Sequence, residues 1–138
     1  MPTSARDAYP RISARDRAEW RAWLAEHHAS APGVWLILQK KGSGQASVNY
    51  EEAVEEALCF GWIDSLARSL DATRYQQVFT PRKRRSPWSA SNKERVARLS
   101  AQGLMAPAGL AAVEAAQRDG AWTTFDSAAS QPPTPKRE

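Results

Sequence analysis

The sequence predicts an α+β fold: a single small domain with a mainly antiparallel sheet and four helices packed on it. Segments with apolar residues at helical spacing alternate with short segments rich in β-branched and aromatic residues. Two strand-like segments, 62–70 and 74–80, flank a three-residue turn, which is typical of a hairpin. The length of 138 residues suits one domain, and no internal repeat is present. Helices on an antiparallel sheet are therefore expected.

The first helix is predicted to begin at Ser13, with the acidic Asp16 in its first turn. Aromatic and apolar residues recur at helical spacing from Trp20 to His27, and a Pro-Gly pair then ends the helix. The following segment, 34–41, reads VWLILQKK and is apolar on both alternating faces until its last residues. This pattern predicts a central strand that is covered on both sides.

The second helix carries a capping-box pattern, because Glu52 follows Asn49 by three residues. Gly61 is placed to end this helix in the left-handed conformation. We expect one side of the helix to be buried and the other to face water. The buried side comprises Tyr50, Val54, Ala57 and Leu58, and the solvated side comprises Glu51, Glu52, Glu55 and Glu56.

The predicted hairpin pairs Leu70 with Arg74, Leu66 with Val78 and Asp64 with Thr80, which places Trp62 opposite Arg82. In this register Asp64 lies on a face that is otherwise apolar or basic, so its carboxylate needs a partner. Two interpretations stay open. Asp64 forms a structural ion pair with Arg82, or it is an acid that acts in a ligand site.

Two more helices are predicted after the hairpin. Ser91 and Glu94 form a capping-box pattern for a helix that runs to about Gln102 and stops at Gly103. Pro107 suits the first turn of the next helix, which should end near Gly120. We expect the domain to span residues 1–126 and the Pro- and Ser-rich residues 127–138 to form a disordered tail.

Composition excludes several classes of protein. No apolar run has the length of a membrane span, and the N-terminus lacks the apolar core of a signal peptide, so neither membrane insertion nor secretion is expected. Cys59 is the only cysteine, which excludes an internal disulfide and fits a reducing compartment. The two histidines lie at one helix end without nearby cysteine, so no metal site is predicted. A cytoplasmic protein without a cofactor is expected.

The net charge of +4 is unevenly distributed along the chain. Between residues 82 and 98 lie seven cations and one anion, Glu94, so the rest of the chain is net negative. Such asymmetry indicates association with anions and does not bear on the fold. The cations are Arg82, Lys83, Arg84, Arg85, Lys93, Arg95 and Arg98.

The run of four cations from Arg82 to Arg85 leaves the end of a predicted strand and is followed by Trp88 and a helix start. Loop cations beside free helix amides suit a phosphate group, and Trp88 could stack on a base or sugar. Ser89 and Asn92 add neutral hydrogen-bonding groups. The alternative interpretation is a solvated basic loop whose tryptophan packs into the core.

Four stretches together resemble the YdeI/OmpD-associated family, also called bacteriocin-protection proteins. They are GVWLILQKKGSG, YEEAVEEALCFGWIDS, RYQQVFTPRKRRSPWSASNKERV and GLMAPAGLAAVEAAQRDGAW, and the resemblance covers roughly residues 10–125. It implies a link to envelope stress or to resistance to antimicrobial peptides, and no settled biochemical activity. Members usually continue into a second, basic, helix-rich module, so any activity of that module is expected to be absent from a chain that ends at Glu138.

Three functions follow as hypotheses. The first is a binding module for a phosphorylated small molecule or nucleic acid. Its predicted ligand-binding residues are Trp62, Asp64, Arg74, Arg82, Arg84, Arg85, Trp88, Ser89 and Asn92. The second is an enzyme in which Asp64 is a general acid or base, while Arg74 and Arg82 orient an anionic substrate. The third is an interaction domain for an acidic protein partner. The absence of paired carboxylates or a nucleophile–base pattern counts against the enzyme.

Overall fold

The computed structural model describes residues 5–83 and 85–124 and confirms the α+β class. The described residues form four α-helices, a four-stranded mixed sheet and two short 3-10 helices. The helices are α1 (Arg17–His27), α2 (Tyr50–Cys59), α3 (Ala90–Ala101) and α4 (Pro107–Asp119), and the strands are β1 (Arg11–Ser13), β2 (Val34–Gln39), β3 (Trp62–Ser69) and β4 (Arg74–Pro81). The expected tail, 127–138, lies outside the described residues.

The sheet has the strand order β1-β2-β4-β3, and β2 is a central strand as expected. β4 runs antiparallel to both its neighbours, whereas β1 is parallel to β2, with Ile12 opposite Leu36. β1 was not expected, because Ser13 was expected to cap the first helix. The cap is Asp16, whose carboxylate accepts a hydrogen bond from the Glu19 amide at 3.0 Å. Residues 11–13 are thereby free to pair with β2.

The hairpin β3–β4 departs from the expected register. Near the turn the register agrees, since the Leu70 amide donates to the Arg74 carbonyl oxygen at 3.0 Å. An irregularity between Asp64 and Ala67 then shifts the pairing by one residue, so that Asp64 lies opposite Phe79. An extra residue in one strand has this effect. The expected pairs of Asp64 with Thr80 and of Trp62 with Arg82 are therefore wrong, whereas the expected pair of Leu66 with Val78 falls within the irregular stretch.

The main core lies between the sheet and the helices. Trp20 and Phe79 are fully buried there with their ring centroids 5.1 Å apart, and the Trp20 indole N–H donates to the Ala53 carbonyl oxygen at 3.0 Å. Because buried aromatic residues contribute much apolar area, they anchor both layers. Trp20, Trp35 and Trp62 are all buried.

The opposite face of the sheet is covered by the segment that precedes β1. The Trp35 indole N–H donates to the Arg6 carbonyl oxygen at 2.8 Å, and the guanidinium of Arg68 lies 5.2 Å from the Trp35 ring centroid. The Tyr9 ring packs so closely on Gly33 that a Cβ there would lie 2.6 Å from its Cζ atom. β2 is thus covered on both sides, as expected, with an N-terminal segment on the outer one.

Helix α2 confirms its capping box at Asn49 and its end at Gly61, whose φ is 77°. Its expected orientation is wrong in part. Glu55 and Glu56 are 7% and 4% exposed, whereas Tyr50 is 41% exposed. The physical reason is that arginines from two neighbouring helices provide the buried carboxylates with charged partners.

No described helix combines the length and apolar character that a bilayer crossing requires.

Candidate functional site

The basic loop, residues 82–85, follows the last pair of the β3–β4 hairpin. The Arg82 amide donates to the Gly61 carbonyl oxygen at 2.9 Å, and the Ser86 amide donates to the Lys83 carbonyl oxygen at 3.2 Å. Arg85 has a φ of 66°, in the left-handed region that non-glycine residues rarely adopt. Lys83 and Arg85 are exposed, and Arg84 lies outside the described residues. The loop is thus a turn with cationic side chains at its surface.

The side chain of Arg82 holds this loop against the core. Its guanidinium lies 4.0 Å from the centroid of the Trp88 ring and donates to the carbonyl oxygens of Ser86 and Pro87 at 3.2 and 2.9 Å. Burial lowers the pKa of this guanidinium from its ordinary value. Arg82 therefore positions the loop, and its cationic group is only partly available to a ligand.

The expected stacking role of Trp88 is wrong. Trp88 is 1% exposed, and its ring packs against Trp122 at a centroid distance of 5.0 Å as well as against Arg82. The alternative interpretation, a tryptophan packed into the core, is the one observed. No free ring face is left for a base, because its neighbours already cover it.

Helix α3 begins earlier than expected, and its N-cap is Ser89, not Ser91. The Ser89 hydroxyl accepts from the Asn92 amide at 3.1 Å, and the Asn92 side-chain oxygen accepts from Arg95 at 2.7 Å. Two side chains that were expected to contact a ligand are therefore engaged in the first turn of the helix.

The acidic helix α2 neutralises much of the charge on α3. Arg95 donates two hydrogen bonds to the Glu51 carboxylate at 2.7 and 2.9 Å, and Arg98 donates one to Glu55 at 2.9 Å. In contrast, Lys83 and Arg85 have no carboxylate partner within residues 5–83 and 85–124. Among the described cations of residues 82–98, the exposed Lys83 and Arg85 consequently keep a charge that no carboxylate compensates.

The other predicted site residues lie elsewhere. Arg74 is at the opposite end of β4, where its bonds to Asp71 lower the pKa of that carboxyl to about 2. Trp62 is buried and donates its indole N–H to the His28 carbonyl oxygen at 3.3 Å. The expected ion pair between Asp64 and Arg82 is wrong. The shifted register and the inward packing of Arg82 give each side chain other partners.

Asp64 accepts a hydrogen bond from the Tyr50 hydroxyl at 2.6 Å, where α2 begins. Burial and this hydrogen bond raise the pKa of Tyr50 to about 12. Asp64 lines neither of the two cavities described below.

Two cavities flank the basic loop, and Lys83 lines both of them. The helix-side cavity, of about 110 Å³, lies against alanines of α4 and the carboxylate of Asp119. The sheet-face cavity has a volume of about 310 Å³ and lies on the outer face of the sheet. Its lining consists of Arg6, Tyr9, Ser65, Val78, Thr80 and Lys83. Sequence reasoning missed this cavity because residues far apart in the chain build it.

An ion-pair cluster around the buried Glu55 and Glu56 was also missed. Arg17 donates to Glu55 at 2.7 Å and to Glu56 at 2.8 Å, and Arg21 donates to Glu56 at 2.9 Å. Together with Arg98, these residues join α1, α2 and α3. Cys59 lies beside this cluster, and burial raises the pKa of its thiol, which makes it a poor nucleophile. The described residues contain no group of three metal-ligating side chains.

Comparison with known proteins gives one family and no characterised relative. No protein of curated function matches the chain, and no solved structure matches it. A family model matches residues 12–112, which include the whole sheet except Arg11, the basic loop and helices α1 to α3. The chain belongs to the family described as a domain of unknown function, DUF8412.

Proposed function

We propose that this protein is a binding module for an anionic, phosphate-bearing ligand, which it holds at the basic loop. The observation that carries the proposal is the contrast in charge pairing. Arg95 and Arg98 form ion pairs with α2, whereas Lys83 and Arg85 have no carboxylate partner in the described parts of the chain. Unpaired cations at a fixed loop attract anions and can bind phosphate through charge-assisted hydrogen bonds.

The backbone of the loop supports this proposal. Arg85 adopts a positive φ that costs of order 1 kcal/mol or more for a residue with a side chain. The hydrogen bond between Ser86 and Lys83 and the inward packing of Arg82 hold this conformation. A prearranged loop loses less conformational entropy when a ligand binds, which favours affinity.

A small phosphorylated molecule fits the site better than a single-stranded nucleic acid. Stretches that bind single strands pair a basic groove with exposed aromatic rings, and the ring of Trp88 is covered. A phosphate group needs only the cations and nearby donors. Nucleic acid and an acidic protein surface are therefore the alternative partners that the binding experiment distinguishes.

The biological setting is proposed from the sequence. The resemblance to YdeI/OmpD-associated proteins supports a role in envelope stress or in resistance to antimicrobial peptides. The single, buried Cys59 is compatible with the reducing cytoplasm. We expect a strain that lacks the gene to become more sensitive to cationic antimicrobial peptides. Complementation with the wild-type gene should restore resistance, whereas a gene that carries both Lys83→Ala and Arg85→Ala should not.

Binding can be tested by isothermal titration of the protein with inorganic phosphate, phosphorylated metabolites and oligonucleotides at low salt. The loop variant combines Lys83→Ala and Arg85→Ala. The control variant combines Lys40→Ala and Lys41→Ala, which removes the same charge at the opposite end of the sheet. We expect a phosphate-bearing compound to bind one-to-one, the loop variant to lose at least tenfold in affinity, and the control variant to retain it.

Two results would contradict the proposal. The first is an equal loss of affinity in the loop variant and the control variant, which would indicate a response to net charge alone. The second is the absence of any binding by phosphate-bearing compounds, with an acidic protein as the only partner that binds.

A further inference from the structure

The sheet-face cavity offers a chemistry that the basic loop alone does not supply. We propose that it binds the hydroxyl-bearing part of a sugar phosphate, whose phosphate lies between Lys83 and Arg6. This inference rests on the proposed function and specifies the class of ligand. The volume of about 310 Å³ is at the lower end of the range of about 300–1,000 Å³ that small-molecule sites occupy.

The two cavities differ in size and in the groups that a phosphate would meet. Arg82, Lys83 and Arg85 line the helix-side cavity, but so does Asp119, and a carboxylate repels a phosphate at short range. That cavity is also the smaller, at about 110 Å³. Two cations, Arg6 and Lys83, line the sheet-face cavity, and no carboxylate does among the described residues. Neither cation has an ion pair in the part of the chain that the structure describes. A phosphate at Lys83 is therefore favoured on the outer face of the sheet.

Three hydroxyl groups complete the cavity. Tyr9, Ser65 and Thr80 all line it, and none of their side-chain hydroxyls forms a hydrogen bond within residues 5–83 and 85–124. A hydroxyl group both donates and accepts, so a set of three matches the hydroxyls of a sugar. Val78 forms a buried apolar base between them. Such a mixed lining is typical of small-molecule sites.

Two irregular features of the fold bring these hydroxyls together. Ser65 lies in the stretch of β3 where the pairing shifts by one residue, and such irregularities redirect side chains near binding sites. The Tyr9 ring is fixed by its packing on Gly33, which has no side chain. The irregularity interrupts regular strand pairing, and the glycine provides no side chain for packing. Both features lie next to the same cavity.

The inference can be tested by isothermal titration with three probes: inorganic phosphate, glucose 6-phosphate and glucose. The cavity variant combines Tyr9→Phe and Thr80→Val, which remove two hydroxyls and keep the side-chain shapes. The control variant, Tyr75→Phe, removes a hydroxyl from the helix-facing side of β4. Gly33→Ala is a further variant, because its Cβ would displace the Tyr9 ring.

We expect glucose 6-phosphate to bind roughly tenfold tighter than inorganic phosphate, since each added hydrogen bond contributes a few-fold in affinity. In the cavity variant and in Gly33→Ala, the affinity for glucose 6-phosphate should fall to about that for inorganic phosphate. Tyr75→Phe should preserve the tenfold difference. If phosphate binds at the loop and the sugar adds nothing, or if the cavity variant retains the advantage, the inference is wrong and the proposed function stands. If no phosphate-bearing probe binds, both are wrong.

Discussion

At the scale of single residues, Tyr50 and Asp64 form a hydrogen bond of 2.6 Å whose consequence is measurable. The pKa of Tyr50 is raised from 10.0 to about 12, so the neutral phenol is favoured in the folded state. The resulting stabilisation is fully present below pH 10 and is lost as the pH rises through about 12. Asp64→Asn should lower the pKa of Tyr50 towards its ordinary value, because the anionic acceptor is removed.

This shift is measurable by ultraviolet titration of tyrosinate, with Tyr50→Phe used to assign the signal. Tyr75 is the internal reference, because its pKa is raised by burial alone and should not respond to the change at Asp64. An unchanged titration of Tyr50 in Asp64→Asn would contradict the hydrogen bond.

The buried Glu56 provides a second prediction at this scale. Glu56→Gln should destabilise the fold by about 1–3 kcal/mol, because Arg17 and Arg21 lose charge-assisted hydrogen bonds to their shared carboxylate while their partly exposed guanidinium groups stay hydrated. The matched control on the same helix is Glu51→Gln, whose half-exposed ion pair with Arg95 should contribute only about 0–1 kcal/mol. Chemical denaturation measures the free energy of unfolding of both variants. Equal losses would show that Glu56 stabilises the helices no more than the half-exposed pair at Glu51 does.

These residues also show what sequence can and cannot predict. The burial of Trp20, Trp35 and Trp62 agrees with their size and apolar character. The burial of Glu55 and Glu56 depends on arginines 35 or more residues away in sequence, so no local pattern indicates it. The spacing of four glutamates on α2 instead suggested a solvated face.

At the scale of secondary-structure elements, the start of α3 tests the corrected cap. Ser89→Ala should destabilise the protein by about 1 kcal/mol, because it removes the acceptor of the Asn92 amide. Ser91→Ala should change stability little, since Ser91 lies inside the helix and alanine is the better helix former. Thermal unfolding of the two variants compares them directly, and a larger loss at Ser91 would restore the expected capping box.

The contact between α2 and α4 depends on a glycine. A Cβ at Gly109 would lie 2.6 Å from the carbonyl carbon of Cys59, so the two backbones approach closely at this point. Gly109→Ala should therefore destabilise the fold by about 1–3 kcal/mol, although the same change in an exposed helix stabilises it. Leu110→Ala, at the exposed neighbouring position, is the control in urea denaturation. A stabilised Gly109→Ala variant would contradict the close approach.

Most elements were predictable because their signals are local. Glycines at 61, 103 and 120, the proline at 107 and the capping box at Asn49 all lie where the sequence places helix ends. The register of the hairpin was predicted correctly from the turn to Ala67 and wrongly beyond the irregularity. The alternation of residues in β3 carries no sign of the irregularity after Asp64, and one extra residue reverses the faces that follow.

At the scale of the whole molecule, the charge pattern of the sequence is redistributed by folding. The cations of α3 lie next to the acids of α2, so their charge is largely compensated across the helix contact. Lys83 and Arg85 of the basic loop have no carboxylate partner among the described residues, and the loop lies between two cavities, one of which is built partly by the N-terminal segment. The cations can be found in the sequence, but only the fold shows which of them have carboxylate partners.

We propose that phosphate binds at the basic loop, on the side of the sheet-face cavity. A titration of the isotope-labelled protein with glucose 6-phosphate, followed by amide chemical shifts, tests this directly. We expect saturable shifts at Arg6, Lys83 and Ser65, and none at Lys41 or around Asp71 at the other end of the sheet. Shifts that centre on Asp64 and Tyr50, or that spread over every exposed cation without saturation, would contradict it.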